Sequence, residues 1–102
     1  MSGMQQHPLK IELDKASQFI NEVHQLYNLY FQGVERLPPH KKRVELDQKI
    51  ASLRSEVFKK SNAALTFALR QLDARYQSMH NRWDKTMAEI ESGVFRIPPR
   101  RK

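Results

Sequence analysis

Cysteine is absent from the 102 residues, and glycine occurs only three times. The lack of thiols excludes disulfides, thiolate nucleophiles and cysteine-based zinc sites. With so few glycines, the chain has no glycine-rich loop for binding phosphates or dinucleotides. No apolar run approaches the roughly 20 residues that a membrane-spanning helix needs, and no signal-peptide pattern is recognisable. We therefore expect no membrane span and a cytoplasmic location.

Patterns of catalytic residues are missing as well. The sequence has no serine elbow, and Glu89 and Glu91 would point to different sides of a helix. The four histidines show no spacing typical of a paired metal site. His80 and Asp84 are four residues apart, a spacing that is more typical of a surface hydrogen bond than of a metal site. We expect a non-enzyme without a cofactor or a metal.

The residues that are abundant indicate a helical protein. A chain of about 100 residues forms one small domain, and a content of 39% hydrophobic and 9% aromatic residues can build a core. Lysine, glutamate, glutamine, leucine and alanine are abundant, which favours an all-α fold. We expect a mobile N-terminus over residues 1–7, a single helical domain over 8–95 and a basic tail over 96–102.

The first helical pattern is a heptad repeat. Its apolar residues are separated alternately by four and three positions: Leu9, Leu13, Ala16, Ile20, Val23, Tyr27, Tyr30 and Val34. Pro8 suits the first position of a helix, and Gly33 suits the left-handed residue that follows the last turn. The pattern predicts a helix over about residues 8–32.

A longer helical pattern follows Pro38. Residues 40–92 contain no glycine or proline, and their apolar positions recur about every 3.67 residues, a period of nearly straight helices. The apolar face contains Leu46, Ile50, Leu53, Val57, Leu65, Ala68, Leu72, Tyr76, Met79, Trp83, Met87 and Ile90. These features predict one helix over 39–92, about 80 Å long, that pairs with the first helix as an antiparallel hairpin.

An alternative is a three-helix bundle with a break near Ser61. Ser61 or Asn62 could cap a new helix that folds back on the first two. Against a break, the apolar face continues through Ser61, and this stretch contains neither glycine nor proline. The sequence therefore favours the continuous helix.

In the hairpin, half of the long helix is uncovered, which predicts a homodimer. Aromatic residues and methionine are common in interfaces and are frequent in this half. The predicted interface residues are Leu65, Leu69, Leu72, Tyr76, Met79, Trp83, Met87 and Ile90. The alternative is that they form the core of the three-helix bundle.

The net charge of +7 is unevenly distributed. Residues 1–38 contain three basic and four acidic residues, whereas residues 39–102 contain fifteen and seven. Two clusters could bind nucleic acid or an acidic partner, and in a continuous helix they would lie at opposite ends. They are Lys41, Lys42 and Arg43, and then Arg96, Arg100, Arg101 and Lys102.

From Leu26 to Gly93 the chain resembles a set of small uncharacterised bacterial helical, coiled-coil proteins. The residues that carry the resemblance include Tyr30-Phe31, Gly33-Val34-Glu35, Asn62-Ala-Ala-Leu65, Arg75-Tyr76, Trp83-Asp84-Lys85 and Ile90-Glu91-Ser-Gly93. It implies a bacterial cytoplasmic helical protein and brings no activity with it. The function we expect is a non-enzymatic protein–protein adaptor or scaffold that acts through coiled-coil packing. One alternative is a basic, architectural nucleic-acid-binding protein, and another is a small helical assembly chaperone.

Overall fold

A computed structural model describes residues 7–99 of the chain. Within this range the chain forms three α-helices: α1 (Pro8–Phe31), α2 (His40–Lys60) and α3 (Ala63–Glu91). Contacts between α1 and α2 join late residues of one to early residues of the other, as Lys49 with Glu12 and Lys42 with Glu22 show. Contacts between α1 and α3 run in the same order along both helices, since Arg75 contacts Ser17 and Trp83 contacts His24. Helices α1 and α3 are therefore parallel. The helices therefore form a bundle in which α2 is antiparallel to both α1 and α3. The all-α class is confirmed.

Helix α1 begins and ends close to its predicted bounds. Pro8 occupies its first turn, and the Nδ1 atom of His7 accepts a hydrogen bond from the backbone N–H of Leu9. At the other end Gly33 has a positive φ of 80°, and the N–H groups of Val34 and Glu35 both donate to the carbonyl of Leu29. Gly33 is therefore the left-handed stop that the sequence predicts.

The predicted continuous helix over 39–92 is wrong, because the chain turns at Ser61 and Asn62. Ser61 has left-handed backbone angles (φ 49°, ψ 41°), and Asn62 is extended. The Asn62 side chain accepts a hydrogen bond from the N–H of Leu65 and so caps the start of α3. The alternative, a three-helix bundle with a break near Ser61, is the fold observed.

Burial explains why the chain turns despite the strain at Ser61. A residue other than glycine in the left-handed region costs about 1–2 kcal/mol. The turn lets α3 bury Leu65, Leu72, Tyr76 and Trp83, and each large side chain removed from water contributes about 1.5–3 kcal/mol. Several such burials outweigh one strained residue. The same face would be half uncovered in a straight helix.

The core runs the length of the bundle. The seam of α1 contributes five buried residues, as predicted, although Val34 at its end is exposed. The buried residues are Leu13, Ala16, Ile20, Val23, Tyr27, Leu46, Ile50, Leu53, Val57, Leu65, Leu72, Tyr76 and Trp83. All thirteen of these residues lie on the two apolar faces that the sequence predicts.

The segment after α3 folds over the end of α1. Gly93 has a φ of +83°, and Phe95 packs edge-on against Phe31 with ring centroids 6.3 Å apart. Ile97 and Pro98 lie against Gly33. Ile97 and Pro98 of the predicted tail therefore contact the bundle. Residues 1–6 of the predicted mobile N-terminus, and Arg100, Arg101 and Lys102, lie outside the described residues.

Candidate protein-binding surface

The residues predicted as a dimer interface pack inside the chain. Trp83 is only 1% exposed, and Leu65, Leu72 and Tyr76 are also buried. Leu69, Met79 and Met87 are partly buried against the same core, and Ile90 is half-buried. The uncovered half-helix on which the interface was predicted does not exist, because α1 and α2 cover α3. In this fold the aromatic and methionine side chains serve as core.

Trp83 is the centre of a cluster that joins all three helices. Its ring stacks on Tyr27 of α1 with centroids 4.9 Å apart, and its Nε1–H donates to Nδ1 of His24 over 3.1 Å. The guanidinium of Arg43, on α2, lies 5.6 Å from the Trp83 ring centroid. This position allows a favourable cation–π interaction.

Arg43, predicted as a nucleic-acid or acidic-partner contact, is engaged within the fold. It donates to Asp84 over 2.7 Å and to the hydroxyl of Tyr27 over 3.1 Å. Burial opposes its charge, but the hydrogen bonds that Arg43 donates to Asp84 and Tyr27 outweigh burial and raise the pKa of Arg43. Lys42 is also engaged, since it pairs with Glu22 over 2.9 Å. Of these three predicted contacts, only Lys41 is exposed without an ion pair among the described residues.

We expect acid to destabilise the protein through His24. Burial, followed by repulsion from Arg82 and Arg75, lowers the pKa of His24 below its ordinary 6.5. Below pH 6.5 the unfolded chain therefore takes up a proton that the folded chain resists, and the free energy of unfolding falls as the pH falls towards the folded pKa. Protonation of Nδ1 would also remove the acceptor for Trp83.

The measurement is the melting temperature between about pH 7 and pH 5. His24→Gln can accept the Trp83 hydrogen bond but does not titrate, so its melting temperature should vary less in this window. Equal pH dependence in both proteins would contradict the assignment to His24. A separate loss below pH 3.8 is expected from Asp84, because the hydrogen bond from Arg43 lowers the pKa of that carboxyl group.

The turn at Ser61 also brings the first basic cluster and Arg96, the described member of the second, to one end of the bundle. In a continuous helix they would lie at opposite ends. The end of α1, the start of α2 and the end of α3 instead lie together, so Lys41 and Arg96 are at the same end. One cleft there is lined by Phe31, Gln32, Gly33, Val34, Phe95, Arg96, Pro98 and Pro99.

The outer face of α2 carries apolar residues that the fold does not use. Val44, Ala51 and Phe58 are seven residues apart and all exposed; we call them the α2 stripe. Val44 is 53% exposed and Phe58 84% exposed. Residues seven apart lie on one side of a helix, and the stripe extends for about 21 Å. The seven-residue spacing of the stripe is visible in the sequence. The stripe was not predicted as a site, because it lies outside the apolar face that begins at Leu46.

The surroundings of the stripe are positively charged. Helix α2 contains seven basic and three acidic residues. One of those acids, Asp47, accepts a hydrogen bond from the buried hydroxyl of Tyr76, and another, Glu56, lies 4.0 Å from Lys59. Lys41 and Lys60 are exposed and form no ion pair among the described residues. The stripe is therefore an apolar line on a cationic helix.

Among residues 7–99, no helix combines the length and the hydropathy that crossing a membrane requires. Comparison of the chain with protein-family models, with curated proteins and with solved structures finds no match.

Proposed function

We propose that the protein is a non-enzymatic protein–protein adaptor that binds an acidic amphipathic helix of a partner along the α2 stripe. The observation that carries the proposal is Phe58, a phenylalanine 84% exposed on a rigid helix in line with Val44 and Ala51. A side chain so exposed contributes little to the fold. Apolar side chains at heptad spacing provide the contacts with which one helix recognises another.

The charge of α2 favours an acidic partner. Opposite charges steer association and discriminate against other partners, whereas like charges repel. A second copy docking through the same helix would bring two cationic helices together. The homodimer predicted from the sequence therefore gains no support from this stripe, and the residues predicted to form it are core. The predicted alternative of a small assembly chaperone would use the same stripe to bind its partner. The resemblance to small bacterial helical proteins stays a prediction.

The test uses a synthetic helical peptide of about 21 residues with leucine at its heptad core positions and glutamate at its exposed positions, against a matched peptide with lysine. The acidic peptide should bind, and the basic one should not. Phe58→Ser should weaken binding about tenfold or more, since burying a phenylalanine contributes about 1.5–3 kcal/mol. Its stability should change by less than about 0.5 kcal/mol, because the residue is on the surface.

Val94→Ser is the matched control, because Val94 is also exposed but lies outside the stripe, in the segment after α3. It should leave peptide binding unchanged. Equal binding of both peptides, or equal loss in both variants, would contradict the proposal. Self-association in sedimentation that Phe58→Ser abolishes would replace the acidic partner with a second copy.

A second candidate function is nucleic-acid binding. It is favoured by the position of Lys41 and Arg96 at one end of the bundle, and opposed by the engagement of Lys42 and Arg43 within the fold. Binding of this kind would be sequence-tolerant and weakened by salt. The double variant Lys41→Glu/Arg96→Glu should then lower affinity equally for duplexes of different sequence. Absence of binding to duplex or single strands at about 50 mM salt would exclude this function.

A further inference from the structure

The end of the bundle where α1 stops and α2 starts exposes several apolar side chains together with cations. We call this surface the loop end. It comprises Val34, Arg36, Leu37, Lys41, Val94 and Arg96.

The apolar side chains of the loop end have no role in the core. Leu37 is 77% exposed and Val94 76% exposed, and Val34 is exposed as well. They come from two separate segments, the α1–α2 connection and the residues after α3. Aliphatic side chains left in water on two segments of one end indicate a surface that is covered in use.

The two segments are packed against each other. Phe31 contacts Phe95, and the backbone of Gly33 approaches the carbonyl of Pro98 so closely that a Cβ atom there would lie 2.3 Å from its oxygen. Val34 and Arg96 line the same cleft, and Arg36 lines a second cleft together with Pro98. The exposed apolar residues and the cations are therefore held on one platform.

The platform carries three exposed cations against two exposed carboxylates. Arg36, Lys41 and Arg96 are exposed, and none forms an ion pair among the described residues. Glu35 and Glu91 are exposed acidic residues in the same region.

We propose that the loop end docks peripherally on an anionic lipid bilayer. Leu37, Val34 and Val94 enter the boundary between headgroups and acyl chains, and the cations meet lipid phosphates. Stable attachment of a protein to a membrane surface generally combines apolar insertion with basic residues, and the loop end supplies both. Nucleic acid would use the cations but leave the aliphatic residues exposed. This inference goes beyond the adaptor function and does not depend on it, since the α2 stripe runs along the side of the bundle.

The test is flotation of the full chain with phosphatidylcholine vesicles and with vesicles that contain about 30% phosphatidylglycerol, at about 100 mM salt. The protein should float with the anionic vesicles alone. Leu37→Ser/Val94→Ser should weaken binding about tenfold or more, because its apolar contribution is lost. The separate double variant Arg36→Ala/Arg96→Ala should weaken binding to the anionic vesicles by about fivefold for each cation removed.

Phe58→Ser is the matched control, because Phe58 is as exposed as Leu37 but lies near the opposite end of the bundle. It should leave flotation unchanged, and an equal loss in this variant would overturn the proposal. The proposal also fails if neither vesicle floats the protein. If the cation variants abolish flotation while Leu37→Ser/Val94→Ser has no effect, and RNA binds with the same pattern, the loop end is a polyanion site instead.

Discussion

Replacing Trp83 by alanine is expected to lower the free energy of unfolding by about 3–5 kcal/mol, the usual loss for a large aromatic residue in a core. Trp83 is 1% exposed and contacts groups on both other helices: the Tyr27 ring, Nδ1 of His24 and the guanidinium of Arg43. The variant would lose the packing and also leave His24 without its donor. Because small domains are stable by only about 5–15 kcal/mol, we expect a large part of the population to unfold at moderate temperature.

The measurement is urea unfolding followed by circular dichroism, since the variant lacks the only tryptophan. Phe67→Ala is the control, because Phe67 is an exposed aromatic residue on the same helix and its loss should cost less than about 0.5 kcal/mol. The loss at Trp83 should not depend on protein concentration, since its contacts lie within one chain. A loss below about 1 kcal/mol, or one that disappears at high concentration, would contradict this placement.

The sequence predicted which side of each helix is buried, but not how the second apolar face is covered. Leu46, Ile50, Leu72 and Trp83 all lie on the predicted faces, because helical periodicity depends only on which side chains avoid water. A long helix that pairs with a second copy and a chain that folds back on itself bury the same positions. The periodicity alone therefore could not decide between a dimer interface and an intramolecular core.

The turn itself has a weak signal in the sequence. Most left-handed residues that end helices are glycine, as Gly33 and Gly93 are here, whereas the chain uses Ser61 at the break. The asparagine cap at Asn62 was a visible signal, but a small polar residue inside an apolar seam is also found in continuous helices. Tertiary burial of α3 decides in favour of the turn, and burial is not a local property of residues 59–62.

The candidate surfaces were predicted less well than the core. The sequence identifies cations but does not tell which of them are used internally, so Arg43 and Lys41 looked equivalent, although only Arg43 is bound by Asp84 and Tyr27. The α2 stripe was overlooked because Val44 and Phe58 are isolated among polar residues. Leu37 and Val94 are far apart in sequence and share one end only because α3 folds back.

A second large effect is expected at Gly33, where alanine should destabilise the protein for two separate reasons. The φ of +80° is strained for any residue with a side chain, at a cost of about 1–2 kcal/mol. In addition, the new Cβ atom would lie 2.3 Å from the carbonyl oxygen of Pro98. That oxygen belongs to the backbone and cannot move by a simple rotamer change, so the segment after α3 has to shift and its packing on Gly33 is lost.

Gly93→Ala separates the two effects, because Gly93 has a nearly identical φ of +83° and no atom within 4 Å of its added Cβ. Urea unfolding should show a larger loss for Gly33→Ala than for Gly93→Ala, and the excess measures the contact with Pro98. Deleting residues 97–102 removes the atom that the Cβ would meet, so in that shortened chain the excess should disappear. If the two alanine variants lose equal stability in the full chain, the segment after α3 does not pack on Gly33 in solution. An excess that survives the deletion would place the clash elsewhere in the α1–α2 connection.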